Sequence, residues 1–111
     1  MTTSQARRVN SMDELEHPGD YYGPVDEVND AGEKTGEGVW FLLPIHTPGR
    51  TRFDRVAPGD GLHRVSSPPW KFRECDDGSL EIRESIACGR GTADGEYFHG
   101  YLDEGNTWRQ V

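Results

Sequence analysis

Nowhere in this chain do more than five large apolar residues stand together. The longest run is Val39-Trp40-Phe41-Leu42-Leu43, and the others are shorter or interrupted: Trp70 with Phe72, Leu80 with Ile82, Tyr97 to Leu102, and Trp108. A membrane-spanning helix needs about 18 consecutive apolar residues, so no segment here qualifies. Between the bursts lie 14 glycines and seven prolines, which favour turns and short strands over long helices. At 111 residues, of which 32% are hydrophobic, the chain has room for one domain. A domain of this size buries only about 60–70% of its unfolded surface, so these few bursts must supply nearly all the core.

The expected organisation is a polar, aperiodic tail over 1–10, read as disordered, followed by a single small domain over 11–111. Ser11-Met12-Asp13-Glu14 has the form of a capping box, in which Ser11 accepts from the backbone N–H of Glu14 and the glutamate reaches back. Pro18-Gly19 limits whatever helix starts there to one or two turns. Asp20-Tyr21-Tyr22 reads as a short strand, and the acidic, glycine-rich stretch 26–38 as a loop. Gly38 to Pro44 reads as a buried strand ended by its proline. Residues 45–60, with Pro48-Gly49 and Pro58-Gly59, form a second long loop, and Leu62 to Val65 a strand broken by Pro68-Pro69. Loops longer than about 12–15 residues in compact domains are usually functional or disordered.

The C-terminal third is the most specific part. Trp70-Lys71-Phe72-Arg73-Glu74 and Leu80-Glu81-Ile82-Arg83 both alternate apolar and polar residues. A two-residue Asp77-Gly78 loop would set Phe72 opposite Arg83, on conflicting faces. A three-residue loop, Asp76-Asp77-Gly78, pairs Phe72 with Ile82, Arg73 with Glu81 and Glu74 with Leu80. That loop requires a left-handed residue, which Gly78 provides. A second hairpin runs from Tyr97 to Leu102 and returns through Thr107 to Val111. Its register is open: Trp108 either faces Tyr101 or covers Gly100. The expected fold is therefore mainly β, with a small α+β variant open: one antiparallel sheet of about five or six short strands, two C-terminal hairpins, long loops and at most one short N-terminal helix.

The formal charge of −8 argues against sequence-independent DNA binding, and no direct nucleic-acid contact is expected. The charge is segregated along the chain: net −6 over 1–37, +4 over 38–73 and −6 over 74–111. The arginines at the N-terminus precede no apolar region, so no signal peptide is read. A cytoplasmic location follows as the expectation, with Cys75 and Cys88 as reduced thiols, although a disulfide or a shared metal stays open.

Among chemical readings, a zinc site would use Cys75, Cys88 and His99, with His63 or His46 as fourth ligand. The spacing Cys-x12-Cys-x10-His lacks the tight knuckle that places two ligands in one turn, so no metal and no cofactor is expected. Ser85, Cys88 and His99 could form a nucleophilic arrangement, but no surrounding motif supports it. Asp76-Asp77 and Asp103-Glu104 read as turn residues. Gly89-Arg90-Gly91 lacks the strand–loop–helix setting of a phosphate cradle. The favoured candidate site is the 45–60 loop, where Arg50, Arg52 and Arg55 flank Phe53. Arginine and aromatic side chains are the types that anchor protein interfaces.

Ser66-Ser67-Pro68-Pro69-Trp70, Asp77-Gly78-Ser79-Leu80-Glu81-Ile82, Ser85-Ile86, Cys88, His99-Gly100-Tyr101-Leu102, Gly105 and Trp108 together resemble small uncharacterised proteins of actinobacterial phages. With Glu16 to Tyr21, they also look like a distant version of a zinc-ribbon-like bacterial family of unknown function, found near ubiquitin-like conjugation genes. That family carries a cysteine-rich segment where this chain has Trp40-Phe41-Leu42-Leu43-Pro44, which implies that apolar core has replaced a metal knuckle. The resemblance implies a β architecture and a phage origin and assigns no catalytic residue. The expected role is that of a phage-encoded accessory protein, not an enzyme, that binds a host protein in the infected cell, with homodimerisation through a strand edge also open. A virion component, as head decoration or connector, and a metal-dependent enzyme or degenerate zinc ribbon are the alternatives.

Overall fold

The structure, a computed structural model, describes residues 2–44, 62–88 and 98–111. Among the described residues nine strands form: β1 Thr2–Gln5, β2 Arg8–Val9, β3 Tyr21–Val28, β4 Lys34–Leu42, β5 Leu62–Ser67, β6 Phe72–Glu74, β7 Leu80–Cys88, β8 Phe98–Asp103 and β9 Thr107–Gln110. They divide into two sheets, in the orders β1-β9-β8-β7-β6 and β2-β3-β4-β5. The fold is mainly β, as its sequence indicates, but the single sheet expected is two. Both sheets turn apolar faces to one core. Tyr21, Val39, Phe41, Leu43 and Val65 come from the second sheet or its flank, and Leu80, Ile82, Ile86, Phe98, Leu102 and Trp108 from the first. None of the described helices is long and apolar enough to cross a membrane.

The first C-terminal hairpin has the expected register: Phe72 pairs Ile82, Arg73 pairs Glu81 and Glu74 pairs Leu80. Gly78 is left-handed at φ 86°. Its N–H donates to the Cys75 carbonyl, while Cys75 N–H donates to Ser79, so the turn is a type I turn with a glycine bulge. Asp77 Oδ1 closes it by accepting from the N–H and hydroxyl of Ser79. In the second hairpin Trp108 lies opposite Leu102, and Gly100 opposite Gln110. The Phe98 ring lies so near Gly100 that a Cβ there would come within 2.7 Å of it, and within 2.0 Å of the Arg109 carbonyl. Phe98 then meets Trp108 edge-on at 5.4 Å.

Three expectations for the N-terminal half are corrected. Within the segment expected as a disordered tail, Thr2–Gln5 and Arg8–Val9 are strands: β1 pairs with β9 and β2 runs parallel to β3. The anchor is Asp20, 2% exposed, whose Oδ2 accepts from Arg7 Nη2 and from the backbone N–H groups of Glu16 and His17. Three donors converging on one buried carboxylate fold the chain back on itself without any apolar signal. The capping box is absent: the Ser11 side chain makes no cap bond, Glu14 instead accepts from Asn10 N–H, and Met12–Glu14 is a single 3-10 turn. The 26–38 stretch is the hairpin between β3 and β4, not a loop. Asn29 Oδ1 closes its turn by accepting from the N–H groups of Ala31 and Glu33.

Candidate functional site

The sheets are fastened at one end by polar groups from both. Arg8 is the centre of this seam. Its guanidinium donates to both carboxylate oxygens of Glu74 at 2.6 Å, to the Gly78 carbonyl at 3.0 Å and to the Gly23 carbonyl at 2.8 Å. Glu74 sits on the inward-facing side of β6, the register position that brings it opposite Leu80. Its side chain nonetheless stays 60% exposed, and Arg8 pairs it with a bidentate fork. That hydrogen bond holds Glu74 below the usual carboxylate range and pushes the arginine still higher.

Tyr21 makes the second link. Its ring is fully buried, and burial pushes its phenol up. The hydroxyl donates to Asn106 Oδ1 and accepts from Leu80 N–H at 3.0 Å. Trp108 makes the third: its indole N–H donates to the Gly19 carbonyl at 2.8 Å. Each aromatic body fills the core while its polar tip crosses to the other sheet.

Beside the seam lies an open cleft of about 580 Å³. Arg8, Val9 and Asn10 line it, with Tyr22, Gly23, Pro24 and Val25 of β3; Gly78 and Asn106 of the first sheet's turns complete it. The cleft exists because β2 is short. It covers β3 only at Tyr21 and Tyr22, whereas β3 continues to Val28. Arg8 is already engaged by Glu74, Gly78 and Gly23, so the cleft offers shape, the half-buried Tyr22 and backbone rather than a free cation.

The outer face of the first sheet is a different surface. Arg73 pairs with Glu81 and reaches Glu104. Arg83 lies 3.6 Å from Glu81, and Arg109 pairs with Asp103 while stacking 4.3 Å from the Tyr101 ring centroid. Glu81 is held below the usual carboxylate range by its hydrogen bond to Arg73. Three arginines and three carboxylates make this face self-neutralising.

On the outer face of the second sheet, Trp40 pairs across to Tyr22 and Arg64. Arg64 lies 5.2 Å over the Trp40 ring and is held by Glu27 at 3.0 Å. These pairs mix the charge blocks of the sequence: Arg8 with Glu74, Arg64 with Glu27 and Arg73 with Glu81 all join residues from different blocks.

Of the residues singled out in the sequence, Arg50, Arg52, Phe53, Arg55 and His46 lie outside the described residues, as does the 89–91 glycine segment. Cys75 is a buried free thiol beside the first hairpin turn. Cys88 lies at the opposite end of β7, paired with Phe98, and His99 pairs with Ala87. At roughly 3.3 Å per residue this puts Cys75 about 20 Å or more from both, too far for one tetrahedral ion. His63 is in the other sheet, its ring 5.9 Å from that of Phe41. What Cys75 does meet is Asp77 and Glu104, with ligand atoms within 4.8 Å of one another. Asp77 is engaged by Ser79 and Glu104 by Arg73, so these acids serve the turns, as their sequence positions suggest.

The cleft is not legible in the residues alone, because three of its lining residues come from the segment read as a disordered tail. The usable signal was Gly23-Pro24 after two tyrosines, a strand interrupted where its partner stops. No protein-family model, curated protein or solved structure matches this chain.

Proposed function

We propose that this protein works by binding another protein, without catalysis, as a small phage-encoded accessory factor in the cytoplasm of the infected host. The phage setting rests on the resemblance carried by its C-terminal motifs. The binding role rests on one structural observation: β3 outruns its neighbour β2 and leaves an open cleft rimmed by backbone and by Tyr22. An uncovered strand next to a cleft is a common way for a small β domain to hold a partner segment.

Capture from an actinobacterial host lysate tests this reading. The full chain is immobilised beside a Tyr22→Ala variant and a Lys71→Ala control. A host protein retained by the wild type and by the control, and lost with Tyr22→Ala, is the expected result. Retention of no specific protein, or equal retention by all three, would contradict it.

A further inference from the structure

We propose that the uncovered margin of β3, from Val25 to Val28, takes a lysine- or arginine-rich extended segment of a partner protein as an added strand, whose first side chain enters the neighbouring cleft. This deepens the binding role proposed above and rests on it.

The first observation is the extent of the margin. Among the described residues, β3 beyond Tyr22 is paired on one side only, by β4. Its first two positions are closed to a newcomer. The Gly23 carbonyl already accepts from Arg8, and Pro24 has no N–H to give. Native edges are usually blunted by such devices, and here the blunting stops at Pro24. Four residues remain, about 13 Å of strand.

The second observation is charge. Residues 26–37 carry Asp26, Glu27, Asp30, Glu33 and Glu37 against Lys34, net −4, and with Arg64, which pairs with Glu27, the local excess is −3. Asp26 keeps 65% of its side-chain exposure despite its contact with Lys34. A strand laid along Val25–Val28 would run beside these carboxylates, so its own side chains are favoured when cationic. The same charge disfavours a second copy of this chain: two such margins side by side would oppose −3 with −3.

The third observation is Val28, 62% exposed. Lysine and arginine lay their aliphatic stems on apolar surface while their heads reach for charge. Val28 beside Asp26 and Asp30 offers both parts. A basic strand thus finds main-chain hydrogen bonds, apolar contact and charge in one place. The self-neutralised face of the first sheet offers no such excess.

The test uses the full chain and three synthetic peptides: an alternating lysine–valine decapeptide, its glutamate counterpart, and the lysine peptide N-methylated at alternate residues. Binding is followed by titration calorimetry and by amide chemical shifts. The lysine peptide is expected to bind, with shifts concentrated at Val25–Val28, Asn10 and Tyr22, and to weaken as salt is raised. The glutamate and N-methylated peptides are expected to bind at least about tenfold more weakly, the latter because its strand donors are gone. Asp26→Asn/Asp30→Asn/Glu33→Gln should also lose about tenfold.

Equal binding by the N-methylated peptide would overturn strand addition, and shifts on the outer face of the first sheet would overturn the location. Absence of lysine-peptide binding, or a concentration-dependent dimer through β3, would overturn the inference. Lysate capture that still depends on Tyr22 would then leave the broader binding role standing. Peptide binding without any captured host protein would have the opposite meaning.

Discussion

The seam between the sheets and the β3–β4 hairpin are both rich in polar and charged groups, yet they use them in opposite ways. At the seam each group is satisfied by named partners: Arg8 by Glu74 and Gly78 of the first sheet and by Gly23 of its own, Tyr21 by Asn106 and Leu80 of the first sheet, and Trp108 by Gly19, just ahead of β3. In the hairpin, five carboxylates stand against Lys34 and, at Glu27, Arg64 of β5, and the outer margin of β3 carries no strand among the described residues. Saturated polar groups specify structure, because leaving any one of them without its partner is costly. Unsaturated ones leave a surface able to recognise something else. Stability should therefore concentrate at the seam and binding at the hairpin, so mutations in the two regions should have separable effects.

The largest expected effect is at Trp108. Trp108→Ala removes the side chain that touches Tyr21, Phe41 and Phe98 and the bond to Gly19, and should cost about 3–5 kcal/mol by urea unfolding. Tyr21→Phe is smaller and sharper. It keeps the ring and strands Leu80 N–H and Asn106, for about 1–3 kcal/mol. If Tyr21→Phe leaves the unfolding midpoint unchanged, the seam is not where polar satisfaction matters.

Acid comes next. Glu74 has its pKa lowered in the folded state by Arg8, so the stability it contributes is present above the ordinary carboxylate range. It is lost as pH falls through the lowered value. The side chain is 60% exposed, so solvent screening keeps the contribution below about 1 kcal/mol. Glu74→Gln should remove that part of the pH dependence below about pH 4.5, measured as the difference between denaturation midpoints at pH 7 and pH 3. The smallest effect belongs to the hairpin. Neutralising Asp26, Asp30 and Glu33 together should move stability by no more than about 0.5 kcal/mol, while abolishing attraction for a basic peptide. A large loss of stability would show that the hairpin acids hold the fold.

Much of this division was legible in the sequence, and the exceptions have physical causes. The first C-terminal hairpin followed from keeping Phe72 and Ile82 on one face, since a one-residue slip moves every side chain across the sheet. The buried strand around Val39 and Phe41 followed from its continuous apolar run. The β1 strand was invisible because Thr2-Thr3-Ser4-Gln5 carries no apolar residue that alternation would reveal. Its pairing with β9 comes from the backbone. The β3–β4 hairpin was hidden by its acids and glycines, which spell loop when read alone but sit on strands held at one end by Tyr21 and Phe41. Two sheets rather than one could not be read from strand count, because the division depends on which faces Trp108 and Phe41 share. The cleft was lost with the N-terminal segment, whose anchor is a buried carboxylate bound to backbone and arginine rather than an apolar residue.

Native-state hydrogen exchange on the full chain tests the contrast between seam and hairpin most directly. The Leu80 amide, bound to the Tyr21 hydroxyl, and the Gly105 amide, bound to the Ser79 hydroxyl, should exchange only with global unfolding. Amides of Val25 to Val28 that point away from β4 should exchange orders of magnitude faster. Equal protection in the two places would mean that the β3 margin is already covered, and would contradict the account.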